Sequence, residues 1–389
     1  RICTSAPGAG TRQGVSTSRY PRPVKKARVA ATSAARRSRN GSRAASLSGC
    51  QSGLAIVHAE PFRYGPATMP DGDTTRQGRT LRTPQALRTL RTPRALRDAG
   101  LLRPDAEADA ARVAERFAIS VTDHVARLID PADPADPIAR QYIPDAAELT
   151  TAPHETDDPT ADGPFTPVKG VVHRYPDRAL LKPLLACPVY CRFCFRREVV
   201  GPDGGLLTEA ELDTALAWFE ATPAVREAVL TGGDPLMLSP RRLGAMLRRL
   251  AAIPHIETLR IHTRVPVAEP SRIDAALLAA LDVDKPVFLA VHANHAREFA
   301  PPATAAALDR LARTGIPLLG QSVLLRGVND SAEALEALFR AMLRARVKPY
   351  YLHALDPAPG TARFAVPDDQ GLALLRALRG RIPGHAIPT

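Results

Sequence analysis

The chain has 389 residues, 45% of them hydrophobic, enough to bury one barrel-sized core with extensions. It holds no run of about 18 apolar residues, so no membrane-spanning helix is expected. Five cysteines, three of them clustered, do not make a secreted disulfide framework and point to the reducing cytoplasm.

The net charge of +12 invites a nucleic-acid partner, but its distribution argues against one. Residues 1–59 carry eleven Lys or Arg and no Asp or Glu, which leaves 41 basic and 40 acidic side chains for the rest. Residues 1–80 read as a disordered or non-native basic tail, rich in Ser, Arg, Ala and Gly and without a hydrophobic period. The Arg- and Ser-rich, acid-poor start also fits an organelle transit peptide. A third reading, the favoured one, is upstream sequence ahead of a natural start at Met69, the first methionine.

Residues 81–170 read as an extension of helix and loop. Segment 81–98 is a tandem nine-residue duplication, and two copies are too few for a solenoid. Val113, Phe117, Val121, Val125 and Leu128 recur at helical spacing, predicting one amphipathic helix between Pro104 and Ile129. The Asp-Pro repeats from Asp130 to Pro137 end it, because each Pro disfavours helix at the residue before it. Residues 138–170 are loop-rich.

Residues 171–389 are regular. Short apolar or β-branched runs at 179–186, 226–231, 257–263, 286–292, 317–325 and 348–353 alternate with helical segments near 208–221, 239–252, 270–282, 301–314, 331–345 and 367–380. Six such units predict an α/β fold, a partial (β/α)6 TIM-like barrel with a parallel sheet and helices outside. Chemistry in such barrels sits on the loops after the strands. Polar groups stand at each of those ends. They are the cysteine loop, Thr231-Gly-Gly-Asp-Pro235, His262-Thr-Arg264, His292-Ala-Asn-His295, the stretch from Gln321 to Asp330, and His353-Ala-Leu-Asp356.

Cys187, Cys191 and Cys194, at Cys-x3-Cys-x2-Cys spacing, put three thiolates on one tight loop. Such a loop holds three corners of an iron–sulfur cluster and leaves the fourth iron without a protein ligand. A zinc knuckle or plain burial is the bland alternative, but zinc wants four ligands and Cys3 and Cys50 lie far off in the tail. Arg196 and Arg197 follow directly. They could balance cluster charge, fork onto a substrate carboxylate, or be a solvated basic pair. Phe193 offers an aromatic face to a planar ligand or packs in the core. Gly232 and Gly233 let backbone approach a ligand, and Asp234 beside them could accept from an ammonium. Asp356 could bind a cationic substrate. Arg174, Tyr175, Asp177 and Arg178 could clamp a phosphate or form an ordinary ion pair.

The cysteine spacing, with an aromatic before the last cysteine, is similar to the radical S-adenosylmethionine (radical SAM) signature, and Gly232-Gly-Asp-Pro235 looks like that superfamily's second motif. Several segments resemble the lysine 2,3-aminomutase family more narrowly. They are Leu128–Ile138, His173–Arg178, Cys191–Arg197, Arg260–Arg264, Val323–Asp330 and Pro349–His353. The resemblance implies a [4Fe-4S] cluster on Cys187, Cys191 and Cys194 with S-adenosylmethionine on the open iron. It further implies pyridoxal 5′-phosphate, a 5′-deoxyadenosyl radical, and migration of the amino group of L-lysine from C2 to C3 to give β-lysine. By position it assigns Arg196 to the lysine carboxylate, Asp356 to the side-chain ammonium, and Tyr175 and Arg178 to the surroundings of pyridoxal phosphate. Phe193, Gly232, Gly233, Asp234, Arg264 and Gln321 fall among the cofactor contacts. An electron donor such as flavodoxin or ferredoxin and a homo-oligomer are the implied partners.

One departure stands out. The family's pyridoxal-binding lysine lies shortly after the segment matching Ile382–Thr389, and none of the six lysines here (25, 26, 169, 182, 285 and 348) sits in a Gly-rich loop. The pyridoxal phosphate site is expected to be incomplete, and the chain to be a piece of a longer protein. Two alternatives accompany the aminomutase reading: a radical SAM enzyme on another amino acid or without pyridoxal phosphate, and an iron–sulfur protein of electron transfer or sensing.

Overall fold

The computed structural model of the chain describes residues 89–201 and 204–388. The expected disorder of the tail and the first copy of the duplication therefore lie outside the described residues. The second copy is structural. Leu90 exchanges both backbone hydrogen bonds with Val121, Thr92 caps α1 (Pro93–Asp98), and Leu96 is buried.

The single helix expected between Pro104 and Ile129 is two helices, α2 (Glu107–Arg116) and α3 (Asp123–Ala126). Between them the chain runs extended through Phe117 to Val121. Ile119, Val121 and Thr122 are β-branched and favour that conformation, and Leu90 supplies the partner backbone. Thr122 then accepts from the Val125 amide and starts α3. A further short helix, α4 (Ala139–Tyr142), precedes the loops.

The sheet has seven strands in sequential order. These are β1 (Val171–Tyr175), β2 (Arg178–Leu184), β3 (Glu227–Gly232), β4 (Thr258–Thr263), β5 (Val287–His292), β6 (Leu318–Val323) and β7 (Lys348–His353). All six expected strands are present, and β2 to β7 pair in parallel. The addition is β1, antiparallel to β2 across a turn at Pro176 and Asp177. Helices α5 (Glu209–Glu220), α6 (Pro240–Ala251), α7 (Val265–Ala268), α8 (Ala275–Leu281), α9 (Pro302–Arg313), α10 (Ala332–Arg344) and α11 (Asp368–Leu378) alternate with the strands.

Period-two alternation splits the sheet into two chemical faces. Ala179, Leu181, Ala228, Leu230, Leu259, Ile261, Val287, Leu289 and Val291 point outward into one apolar core with the helices. On α6, Leu243, Met246, Leu247 and Leu250 form the matching stripe, and Leu247→Ala there would cost about 2–5 kcal/mol. The other face carries Lys182, Thr231, Arg260, His262, His292, Gln321 and His353. No helix among the described residues is long and apolar enough to cross a membrane.

Candidate active site

The cysteine loop leaves the C-terminal end of β2, where Pro183 lacks a ladder donor and the β2–β3 register shifts between Leu181 and Leu184. Its far side is set by residues of the N-terminal extension. The Tyr190 amide donates to Ser120 O, and the Arg192 amide to Gln141 O. The Arg192 guanidinium donates to both oxygens of Glu148 and to Ala118 O at 2.7 Å. Arg197 reaches the same carboxylate, and its guanidinium lies 3.6 Å from the centre of the Phe117 ring. Glu148 and both arginines are buried, so three charges hold each other in place away from water. Arg197, one of the two candidate cations beside the loop, is thus a structural group.

From the other side, β3 closes on the loop. The Gly233 amide donates to Leu184 O at 2.8 Å and the Asp234 amide to Ala186 O at 2.9 Å. A Cβ on Gly232, where φ is +108°, would come within 2.8 Å of Leu184 O, and one on Gly233 would overlap Leu185 and Ala186. The glycines therefore permit contact with the loop's own backbone. Asp234 is equally occupied. Its buried carboxylate accepts from the Leu236, Arg264 and Val265 amides and from the Thr263 hydroxyl. In place of the expected acceptance of an ammonium, the carboxylate latches the ends of β3 and β4, being buried with these donors already on it.

Arg264 lies against the thiols. It donates to Cys191 Sγ at 3.3 Å, to Gln141 Oε1 at 2.8 Å and to Glu298 Oε2 at 2.9 Å. Phe193 is buried with Leu325, Val328 and Phe364 and meets His292 edge-on at 5.9 Å, so it packs as core in this structure. Gln321 stands on β6 beside His292 of β5, facing the same interior. Burial pushes all three thiols up, Cys194 to about 11; Asp234 adds to it at Cys187 and Cys191 adds to it at Cys194, while Arg264 opposes it at Cys191. Among the described residues no three His, Cys, Asp or Glu side chains converge closely enough to hold a single metal ion. Three soft donors on one desolvated loop, poor at holding negative charge alone, fit a cationic iron cluster.

The remaining assigned residues divide. Arg196 pairs with Asp162 at 3.0 Å and feels Asp356, whose carboxyl burial pushes up while Arg196 and Arg174 pull it down. Tyr175 and Arg178 do not join them. They lie at the opposite end of β2, Tyr175 half exposed, with the Arg178 guanidinium 4.1 Å from the Tyr175 ring centre and 2.9 Å from Asp177. The described residues thus do not gather a pyridoxal phosphate site around that pair. Reading the sequence missed Gln141, Glu148, Asp162, Lys182 and Glu298. Only Lys182 left a signal, a lone charge inside the apolar run Ala179–Ala186.

Residues 181–339 match the Radical SAM superfamily. The chain is 38% identical over 288 residues to an L-lysine 2,3-aminomutase of Clostridium subterminale, covering 74% of this chain and 69% of the other. It is 38% identical over 292 residues to an L-lysine 2,3-aminomutase of Escherichia coli strain K12, covering 74% and 84%. A glutamate 2,3-aminomutase of Clostridioides difficile is 33% identical over 277 residues, covering 71% and 65%. A parallel sheet ending in a three-cysteine loop, together with these matches, makes this a radical SAM enzyme. Within that superfamily the chain belongs to the lysine 2,3-aminomutase family.

Proposed function

We propose that the chain catalyses a 2,3-amino migration on a free α-amino acid, turning it into the β-isomer. The observation that carries this is the cysteine loop, framed by Glu148 on one side and Asp234 on the other, in a member of this family. When bound, the [4Fe-4S] cluster and S-adenosylmethionine would supply a 5′-deoxyadenosyl radical after one electron from a flavodoxin- or ferredoxin-type donor. Cys187, Cys191 and Cys194 would hold that cluster. Arg264 would keep Cys191 aimed while its charge offsets a thiolate at that sulfur. Arg196 would take the substrate carboxylate through its planar fork. The buried interior, lined by neutral His262 and His292, would keep bulk water from a radical. Pyridoxal phosphate enters only through the family likeness. The relatives' names offer L-lysine and glutamate as substrates.

The test is anaerobic. Reconstituted protein, reductant and S-adenosylmethionine are incubated with amino acids, and 5′-deoxyadenosine and β-amino acid are measured by mass spectrometry. Both products are expected from the wild type. Cys191→Ala should lose iron and both products. Persistent cofactor cleavage in that variant would overturn the assignment of the loop.

A further inference from the structure

Tyr142 ends α4 beside the cysteine loop, and the proposed reaction gives it no part. Its neighbour Gln141 fixes it there. The Gln141 carbonyl accepts from the Arg192 amide, and its side-chain oxygen accepts from Arg264 at 2.8 Å and Asn294 at 3.1 Å. The Tyr142 side chain is buried with Val121, Val125, Val189 and Ala268, in an apolar cluster that Cys191 borders. The Arg264 guanidinium, which donates to Cys191 Sγ, lies 5.1 Å from the centre of the Tyr142 ring.

The Tyr142 hydroxyl is buried and has no hydrogen-bond partner among the described residues. Five arginine Nε atoms share that state, but each of those guanidinium groups has other donors in use. A phenol has a single O–H, and here it goes unused. Tyr190, the other buried tyrosine at the loop, shows the usual state and donates to Arg197 O at 2.6 Å. A buried hydroxyl left idle is costly, so it points to an acceptor that arrives with a ligand. Arg264 cannot be that acceptor, because a guanidinium only donates. The nearby oxygens are engaged, Gln141 Oε1 by two donors and Glu298 by Arg264 and the Asn294 and His295 amides. Burial pushes the phenol well above its usual range, against the pull of Arg264, so the proton stays on the oxygen.

We propose that the Tyr142 hydroxyl donates a hydrogen bond to sulfur at the Cys191 corner of the iron–sulfur cluster and raises the cluster's reduction potential. The cluster takes one electron from the flavodoxin- or ferredoxin-type donor and becomes one charge more negative, with no proton moved. A hydrogen bond to its sulfur stabilises that reduced form more than the oxidised one. Tyr142 thus acts through the cluster, and the inference rests on reading the cysteine loop as the cluster's site.

The test is an anaerobic redox titration of the reconstituted full chain without S-adenosylmethionine, with the reduced cluster read by electron paramagnetic resonance. At a fixed potential the ratio of reduced to oxidised cluster should be about fivefold lower in Tyr142→Phe, about 40 mV for a one-electron couple. Electron–nuclear double resonance in light and heavy water should show one exchangeable proton coupling fewer in Tyr142→Phe than in the wild type. Iron content should match, because the ring keeps its shape. An unchanged or higher potential overturns the inference, as does an unchanged set of proton couplings. Loss of iron from Tyr142→Phe alone also overturns it, by making the hydroxyl a structural support. No cluster signal in the wild type defeats the loop assignment itself, whereas equal potentials in two loaded proteins defeat only the role of Tyr142.

Discussion

Two carboxylates in this protein each gather several basic side chains, and they do so in opposite ways. Glu148 is fully buried, and the fully buried Arg192 and Arg197 close on it at short range and donate to nearby carbonyls as well. Asp162 keeps looser distances of 3.0 to 3.6 Å, and it and its partners retain some exposure, most at Arg174. A tight cluster closed off from water fixes a shape. A looser one with some exposure can exchange partners more easily.

Breaking the first cluster should have the largest effect. Glu148→Gln leaves two buried guanidinium groups short of a counter-charge and should cost about 3–5 kcal/mol, read as a lower denaturation midpoint in urea. The cysteine loop should loosen with it, so iron content after reconstitution should fall as well. An unchanged midpoint would show that the two clusters do not differ as described.

The interior histidines sharpen the contrast next. Burial drives the His262 imidazole down to about 3, and His292 and His353 are lowered by the same cause. The unfolded chain binds protons near 6.5 that the folded chain refuses until about 3, so stability is fully present above 6.5 and falls with acid through that window. Each such histidine should contribute up to about 1.4 kcal/mol per pH unit there. His262→Gln should flatten the slope of unfolding free energy between pH 6.5 and 5 by roughly one proton.

Asp162→Asn should be milder than Glu148→Gln, about 1–3 kcal/mol, because its contacts are longer and it and its partners keep some exposure. A penalty as large as that of Glu148→Gln would place Asp162 with the structural cluster instead.

The six parallel strands were legible because each is a short apolar run between helical segments, and the cysteine loop because three thiols in eight residues have few uses. The strand β1 was not, since His173, Arg174 and Tyr175 dilute its apolar pattern and only the Pro176-Asp177 turn marks it. Neither Glu148 nor Gln141 could be read as supports, because their partners lie 44 and 123 residues away, and no local period encodes such a pair. Asp234 misled for a related reason. Its motif sits at a strand end where ligands bind, yet the amides it accepts from belong to the neighbouring strand end, 30 residues on.

The supports of the cysteine loop come from both sides of it in the sequence. Ala118, Ser120, Gln141 and Glu148 all precede it in the chain, whereas Asp234, Arg264 and Glu298 follow. Domains generally fold as units. Neither set alone therefore makes the site: the loop has its full frame only when the 180 positions of chain that separate Ala118 from Glu298 have come together.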